Sequence, residues 1–429
     1  MTTPFPAEAL AEAEAAAAKR FEGDPVDLPF VTVDPPGARD LDQALHIAPV
    51  GDGHRVSYAI ADLTRFVMPG GALDAAVWER GVTVYDDPDG PVPLHPPVLS
   101  AGAASLLPEE VRPAVLWSLD LDARGALAQV DVRRALVRSV GQHTYEDVPG
   151  DVLAMMEAVG KRREALERDR GGISLPIPEQ EIDGDGTLRY RAPLPSEGYN
   201  AQLSLLTGMA AADLMLRGAA GLLRTLPAAE PEALERLRRV AAALGREWGS
   251  EVEYGAFIRS LDPFDGRDAA ILRAATRVLR GAGYLAFDDD GVAPKDGRHS
   301  AIAEEYAHVT APLRRLADRY ATECALAAFA GEPVPAWVRD RLEALPAVME
   351  AAERHANEAE RTAVDRAEAR TLAGRVGEAF EAVVIADGIV QLRDPAVRAR
   401  CDGEPPLGQE IRARLLEADP ATGTVRFGA

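Results

Sequence analysis

The sequence predicts an α+β protein in which β-hairpins and a sheet are surrounded by helices, with a small C-terminal β-barrel of the OB type. Strand-like segments fill residues 30–140, helical periodicity follows to residue 377, and short strands return in residues 378–429. Because 429 residues exceed one typical domain, we expect a helical segment over residues 1–28, a main domain over residues 29–377 and the small barrel over residues 378–429.

The N-terminal part has the pattern of one helix followed by two hairpins. Residues 7–22 indicate a short exposed helix, and the β-branched segment FVTVD, residues 30–34, stops at a Pro-Pro-Gly turn. Strand-like segments flank the Gly-Asp-Gly turn at residues 51–53, which predicts the first hairpin. The Asp-Ala-Arg-Gly turn at residues 122–125 follows alternating apolar residues and predicts the second.

The apolar period becomes helical after residue 145. Residues 151–172 end at a Gly-Gly pair, and residues 200–224 are apolar on most sides, so we expect a surface helix and then a buried one. A glycine- and aspartate-rich loop is expected over residues 282–298. Further helices are expected near residues 230–246, 253–261, 267–281, 310–331, 335–344 and 346–377.

Composition excludes several classes of protein. A net charge of −22 excludes a protein that coats nucleic acid with its whole surface, although a local basic channel remains compatible with it. Two distant cysteines make neither a disulfide framework nor a zinc site, which indicates a reducing, cytoplasmic setting. The N-terminus lacks the pattern of a signal peptide, and no stretch of 18 apolar residues predicts a membrane span.

The segment TVDPPGARDLDQAL, residues 32–45, carries the strongest chemical signal. Asp40 and Asp42 point to the same side of an extended chain, and the Pro-Pro-Gly turn can bring Asp34 back beside them. Three converging carboxylates repel one another unless a divalent cation such as Mg²⁺, or alternatively Mn²⁺, lies between them. By spacing alone, an acidic turn on a solvated surface fits equally well.

Several motifs in order along the chain resemble the catalytic domain of the ribonuclease II / ribonuclease R (RNB) family. They are VTVDPPGARDLDQALHI, VSYAIADLTRFV, VTVYDDPDGPVPLHPPVLS, SLLPEEVRPAV and EEYAHVTAPLRRLADRY. The resemblance covers about residues 29–375 and implies an RNB-type catalytic domain with a C-terminal S1-like domain. It also implies a magnesium-dependent 3′→5′ exoribonuclease that hydrolyses single-stranded RNA to nucleoside 5′-monophosphates.

The resemblance also implies roles for individual residues. Those at the metal-site positions are Asp34, Asp40, Asp42 and Gln43. Those with catalytic roles are Asp42, Arg314, Tyr145 and Glu360. Those expected to contact RNA are Tyr85, Arg315 and Tyr145. Gln43 departs from the family, which has aspartate there, because an amide oxygen brings no charge to a metal. The resemblance implies that Tyr85 stacks on a terminal base, but no aromatic partner is present in residues 175–180.

Each of these roles has a simpler structural alternative. Tyr145 and Tyr85 can be packing residues, Glu360 can belong to a solvated helix face, and Arg315 can be a solvated surface charge. Asp318 is expected to be a structural partner of either Arg314 or Arg315. Thr310 and Pro312 predict that a helix begins just before Arg314, with free N–H groups that favour a phosphate. Further candidates for phosphate contacts, with exposed arginine as the alternative, are Arg133, Arg134, Arg138, Arg412 and Arg414.

Two other functions remain open at this point. A catalytically weak or inactive RNA-binding protein on the same fold would explain Gln43, and a phosphodiesterase for short oligonucleotides is the second alternative. Fewer than thirty residues precede the catalytic motifs, where the family's archetypes have two cold-shock-type domains, so we expect a short form with weak processivity. The expected partner is single-stranded RNA. No protein partner is indicated, and we expect a monomer.

Overall fold

Two closed five-stranded β-barrels and a set of helices make up the protein. The structure, a computed structural model, describes residues 4–85, 91–177, 179–182, 188–288, 294–392 and 394–429. The predicted α+β class, with a small OB-like barrel at the C-terminus, is confirmed. No helix in those ranges is long and apolar enough to cross a membrane.

The first barrel contains both of the predicted hairpins. Its strands are β1 (Phe30–Val33), β2 (Gln43–Val50), β3 (Gly53–Ala61), β4 (Val111–Leu121) and β5 (Leu127–His143). Tyr58 and Trp117 lie opposite each other on β3 and β4 and are fully buried. The barrel closes because the far end of the 17-residue β5 pairs in parallel with β1. This closure joins segments about a hundred residues apart.

Ten α-helices are present in the described ranges, besides a 3-10 helix over Leu63–Arg65 and a π-helix over Leu99–Ala103. They are α1 (Ala7–Ala17), α2 (Ala72–Arg80), α3 (Gly150–Asp169), α4 (Pro195–Arg217), α5 (Pro231–Ala243), α6 (Tyr254–Arg259), α7 (Gly266–Ala275), α8 (Leu316–Ala330), α9 (Ala336–Leu342) and α10 (Leu345–Thr371). The apolar sides of α3, α4 and α8 share one hydrophobic core with the first barrel.

Helix α1 is packed rather than exposed, which corrects the prediction for residues 7–22. Ala9, Ala13 and Ala16 form a stripe on one side of the helix, and this stripe is buried. The carboxylate of Glu12 accepts hydrogen bonds from two backbone N–H groups in the first turn of α2. The helix therefore buries small side chains, and its Glu12 provides hydrogen-bond acceptors for the free N–H groups at the start of α2.

The helix predicted over residues 200–224 ends early, at Arg217. Ala219 has a φ of +58°, and residues after it form strand β8 (Ala220–Thr225). This strand pairs antiparallel with β9 (Gly283–Asp288), which lies where the sequence predicted a loop. Both segments are short apolar runs, which local periodicity does not assign uniquely to helix or strand. The other short strands of the main body are β6 (Glu179–Ile182), β7 (Leu188–Arg191), β10 (Arg298–His299) and β11 (Glu304–Glu305).

The second barrel is built from the last fifty residues. Its strands are β12 (Ala379–Ala386), β13 (Ile389–Leu392), β14 (Arg398–Asp402), β15 (Glu410–Asp419) and β16 (Thr424–Gly428). The barrel has its own core, but Val383 and Ile385 of β12 turn outward and pack into a second core with α5, α6 and α7. The barrel is therefore anchored to the helical part by shared apolar surface.

Candidate active site

A cavity of about 550 Å³ lies beside the connection between β1 and β2. Nine residues were expected at the site from the sequence, and six of them line this cavity: Asp34, Asp40, Asp42, Gln43, Tyr85 and Arg314. The three that are absent from the lining are Tyr145, Arg315 and Glu360. The structure thus brings the acidic segment and an arginine from the last third of the chain to one place.

The acidic residues lie on a connection that is fixed at its middle. Asp34 directly follows β1, and Asp42 directly precedes β2. Between them, the hydroxyl of Ser105 accepts a hydrogen bond from the N–H of Leu41 and donates one to the carbonyl of Arg39. These bonds satisfy backbone groups that have no strand partner, so the connection is held in one conformation.

Asp42 is the most buried carboxylate of the cavity, with 3% of its surface exposed. Its Oδ1 accepts a hydrogen bond of 2.7 Å from the backbone N–H of Leu313, and its Oδ2 lies 3.5 Å from Nε of Arg314. Burial raises the pKa of Asp42 to about 8, although the charge of Arg314 opposes the shift. A carboxyl with so little access to water needs a further cation before it is stably ionised near neutral pH.

Asp34 also lines the cavity, and burial makes its ionised form unfavourable. Burial raises its pKa to about 6, with Arg314 opposing and Asp40 adding to the shift. Its Oδ2 is buried and accepts no hydrogen bond. A buried carboxylate oxygen without a partner is costly, and a bound cation would remove that cost.

These donors fit a hard divalent cation. Carboxylate and amide oxygens are the ligands that Mg²⁺ prefers, and the ion usually leaves positions for water and substrate phosphate. However, no three His, Cys, Asp or Glu side chains of the described ranges are grouped closely enough to form a metal site by themselves. The three carboxylates share one cavity without forming a closed set of ligands, and their role as metal ligands stays a prediction.

Arg314 lies in a turn and not in the first turn of a helix, which corrects the prediction. Helix α8 begins at Leu316, and Thr310 shares a hydrogen bond with Ser204 instead of capping a helix. The N–H groups of the turn are already used, because those of Ala311 and Leu313 donate to carboxylates. The turn therefore presents the arginine side chain to the cavity, and not free backbone donors.

The arginine turn, residues 311–316, is held by a second segment that also borders the cavity. The N–H of Thr83 donates to the carbonyl of Arg314, and the N–H of Leu316 donates to the carbonyl of Gly81. The ring of His95 lies with Nδ1 at 3.1 Å from the carbonyl of Leu313. Since a carbonyl only accepts, Nδ1 carries the proton. The backbone of Leu313 thus connects His95, through its carbonyl, to Asp42, through its N–H.

Gln43 has a buried partner that the sequence did not indicate. The hydroxyl of Tyr58 donates a hydrogen bond to Oε1 of Gln43. Tyr58 is fully buried, and Gln43 lies opposite Ile60 at the start of β2. This bond fixes the orientation of the amide, so that one lone pair of Oε1 is occupied and the other remains available.

The two tyrosines occupy different positions. Tyr85 lines the cavity with 52% of its surface exposed and lies beside Arg314, a position that leaves a ring face accessible. Tyr145 is part-buried, and its hydroxyl lies 3.4 Å from Nδ2 of Asn200 in α4. Burial raises the pKa of Tyr145, and the charge of Asp34 adds to this shift. Tyr145 is therefore near the acidic residues and keeps its proton.

Arg315 and Glu360 do not reach the cavity lining. Arg315 forms two hydrogen bonds with the buried carboxylate of Asp318, at 2.5 and 2.8 Å. Glu360 is exposed on α10. Asp318, which was expected to partner either Arg314 or Arg315, thus pairs with Arg315. Glu360 lies on a solvated part of its helix.

Three of the five other arginines already have partners. Arg134 is paired with Asp62 and Glu323, while Arg412 lies 4.0 Å from Glu381 and Arg414 donates to the carbonyl of Gly377. Arg133 and Arg138 are exposed on β5.

Comparisons with family models, with curated proteins and with solved structures all match the chain to ribonucleases of one family. The family model "RNB domain" matches residues 23–324, and "RNase II-type exonuclease C-terminal S1 domain" matches residues 378–429. A ribonuclease R of Aquifex aeolicus is 29% identical over 387 residues, which cover 82% of this chain and 53% of that protein. The chain thus spans about half the length of this relative.

Two solved structures share the fold. Mycoplasma genitalium RNase R in complex with ribose-methylated single-stranded RNA matches with a TM-score of 0.83 and 18% identity, over 97% of this chain and 74% of that chain. Yeast Ssd1, described as a pseudonuclease, matches with a TM-score of 0.70 and 16% identity, over 96% and 53%. Because the RNB model covers well over half of the sequence, this chain belongs to the RNB family.

Proposed function

We propose that this protein is a divalent-metal-dependent 3′→5′ exoribonuclease that hydrolyses single-stranded RNA to nucleoside 5′-monophosphates. One observation carries the proposal: Asp34, Asp40 and Asp42 line the same cavity as Arg314, although about 270 residues separate them in sequence. Carboxylates for a cation beside a guanidinium for a phosphate form the combination that phosphodiester hydrolysis requires.

The metal site would be formed by Asp34, Asp40, Asp42 and the amide oxygen of Gln43. A bound Mg²⁺ supplies charge neutralisation at the phosphodiester and a more acidic water. Asp42 must lose its proton for this role, and the nearby guanidinium of Arg314 helps it to do so. The fixed amide of Gln43 contributes an oxygen without charge.

Arg314 would stabilise the developing charge on the phosphate. Its side chain is 48% exposed, and its ion pair with Asp42 is long, at 3.5 Å. The guanidinium therefore keeps N–H groups for the non-bridging oxygens of the substrate, which it can bind in a bidentate manner. The exposed ring of Tyr85 is placed to stack on a base next to that phosphate, and the Tyr145 hydroxyl to bind the 3′ nucleotide.

The test compares the wild type with Asp42→Asn on labelled single-stranded RNA, with Mg²⁺ and with EDTA. Asparagine keeps an oxygen for the Leu313 N–H but removes the charge, so the fold is retained. We expect monophosphate release by the wild type only with metal, and a loss of about a thousandfold or more in the variant. Release of monophosphates at the same rate by both proteins would contradict the proposal.

Gln43 favours a second candidate function, RNA binding without catalysis. A neutral ligand weakens the attraction for a divalent cation. Gln43→Asp separates the two functions. If the protein is an enzyme, the variant needs less Mg²⁺ for half-maximal hydrolysis; if it only binds RNA, the variant still cleaves nothing. Rapid hydrolysis of a trinucleotide with slow hydrolysis of a long strand would instead indicate a phosphodiesterase for short oligonucleotides.

A further inference from the structure

A groove of about 720 Å³ lies between α5, the turn after α7 and the second barrel. Its floor is apolar and is formed by side chains of all three parts. The residues that line it are Ala233, Arg236, Leu237, Arg239, Val240, Ala274, Arg277, Val278, Arg280, Ile385, Ala386, Asp387, Ile389 and Leu407. The groove is separate from the candidate active site, since the two cavities share no residue.

Four arginines stand on the two sides of this groove. Arg236 and Arg239 are three residues apart on α5, and Arg277 and Arg280 are three apart after α7. On α5, side chains at this spacing lie on the same face. All four are exposed, and the lining opposes them with a single acidic residue, Asp387.

These four arginines differ from others in the same part of the molecule. Nearby, Arg238 pairs with Glu235, Arg246 with Asp268, and Arg267 with Glu410. No side-chain hydrogen bond or ion pair is found for the four groove arginines within the ranges that the structure describes. In a chain with a net charge of −22, a groove with a local charge of +3 and unpaired guanidinium groups indicates a polyanionic ligand.

The walls of the groove are fixed before any ligand arrives. Leu237 and Val278 belong to the core that the helices share with Ile385 of the barrel. At the end of α5, Gly408 approaches so closely that an added Cβ would lie 1.8 Å from the carbonyl oxygen of Ala243. The arginine rows are therefore held at a set separation, which reduces the cost of ordering them on binding.

We propose that this groove binds the phosphodiester backbone of single-stranded RNA outside the cavity where hydrolysis takes place. The inference rests on the proposed function for its choice of polyanion. Arginines from α5 and from the turn after α7 line the groove together with apolar side chains, so a single backbone in it can contact guanidinium groups of both elements. Arginine binds phosphate in a bidentate manner. A strand held there gains affinity that a short oligonucleotide does not.

The experiment measures binding of a 5′-labelled 30-nucleotide RNA by fluorescence anisotropy at several salt concentrations. All proteins carry Asp42→Asn, which prevents cleavage. The test variant adds Arg236→Gln, Arg239→Gln, Arg277→Gln and Arg280→Gln. Loss of four phosphate contacts should reduce the slope of log affinity against log salt by about 3, equivalent to about a 50-fold smaller loss of affinity between 50 and 200 mM salt.

A charge-matched control replaces four exposed arginines that lie elsewhere, Arg20, Arg168, Arg217 and Arg354, by glutamine. We expect this control to keep nearly the full salt slope, and a variant with lysine at the four groove positions to keep it as well. An equal loss of slope in the control, or no loss in the test variant, would overturn the proposal. The proposal would also be overturned if polyglutamate displaced the labelled RNA as effectively as unlabelled RNA does. That result would identify the groove as a surface for acidic proteins.

The two proposals fail in distinguishable ways. If the protein with intact Asp42 does not hydrolyse RNA but the groove variant loses RNA affinity, the enzymatic proposal is wrong and the groove stands. If the wild type and a groove variant that keeps Asp42 hydrolyse a trinucleotide at the same rate, and the salt slope of the Asp42→Asn proteins is unchanged, only the groove is wrong. Thermal unfolding of each variant checks that the fold is retained.

Discussion

At the scale of single residues, Asp42 determines how the site responds to pH. A carboxyl whose pKa is raised by folding holds a proton that the unfolded chain releases. The stability that this gives the metal-free protein is complete below about pH 4. It is lost as the pH rises through about 6 for Asp34 and about 8 for Asp42. A cation in the cavity reverses the effect, because it favours the ionised carboxylates.

We therefore predict that Mg²⁺ stabilises the protein more at pH 8.5 than at pH 6. Thermal unfolding with Mg²⁺ and with EDTA at both pH values measures this difference. At a hundred times the dissociation constant, the ion adds about 2.7 kcal/mol to the free energy of unfolding. In Asp42→Asn, the increase in stabilisation by Mg²⁺ between pH 7 and pH 8.5 should disappear. A Mg²⁺ effect that is the same at all pH values would contradict the assignment of Asp42 as a ligand.

At the scale of elements, the arginine turn over residues 311–316 depends on contacts that are far away in sequence. The carbonyl of Leu313 accepts a hydrogen bond from His95, while the N–H of the same residue donates to Asp42. Burial lowers the pKa of His95 to about 4, so the ring is neutral in any ordinary assay. His95 is therefore a positioning residue for Asp42 and for Arg314, which follows Leu313.

We predict that His95→Leu leaves the Leu313 carbonyl without a partner and lowers the free energy of unfolding by about 1–3 kcal/mol. Because the N–H of the same residue holds Asp42, kcat should fall more than KM changes. His95→Asn, whose amide can donate to the carbonyl, should restore part of kcat. Equal kcat values for His95→Leu and the wild type, measured where both are folded, would show that the contact only adds stability.

The same elements show what the sequence could and could not predict. The acidic segment and Arg314 were found because their motifs are local. Closure of the first barrel by β1 and β5 joins distant segments and has no local signal. Thr310 and Pro312 are ordinary helix-start residues, but the N–H groups that would have begun the helix are bound by Asp42 and Asp318. His95 and Tyr58 could not be found, since a lone histidine or tyrosine gives no sign of its partner.

At the scale of the whole molecule, the second barrel is attached by more than its chain connection. Val383 and Ile385 pack into the core of α5, α6 and α7, and Gly408 lies against the end of α5 with a φ of +82°. Any larger side chain at residue 408 would collide with the backbone of Ala243. The attachment of the barrel therefore depends on a glycine at this point.

We predict that Gly408→Ala lowers the melting temperature by more than Gly374→Ala does. The two glycines have nearly the same φ, +82° and +81°, so the cost of the backbone conformation, about 1–2 kcal/mol, is common to both. An added Cβ would clash with the backbone of Ala243 at Gly408, whereas no atom lies within 4 Å of a Cβ at Gly374. Equal melting temperatures for the two variants would mean that the second barrel moves away from α5 to accept the methyl group without any loss of stability.

The hydrogen bond between Asp42 and the N–H of Leu313 also has a consequence for the time at which the cavity is completed. The two residues are 271 positions apart, so a ribosome that has produced the acidic segment must add most of the remaining chain before the partner exists. At 5–20 residues per second, this interval lasts roughly 15–55 s. During that time the nascent polypeptide has its carboxylates but no arginine opposite them, so the cavity stays incomplete until residue 314 has been added.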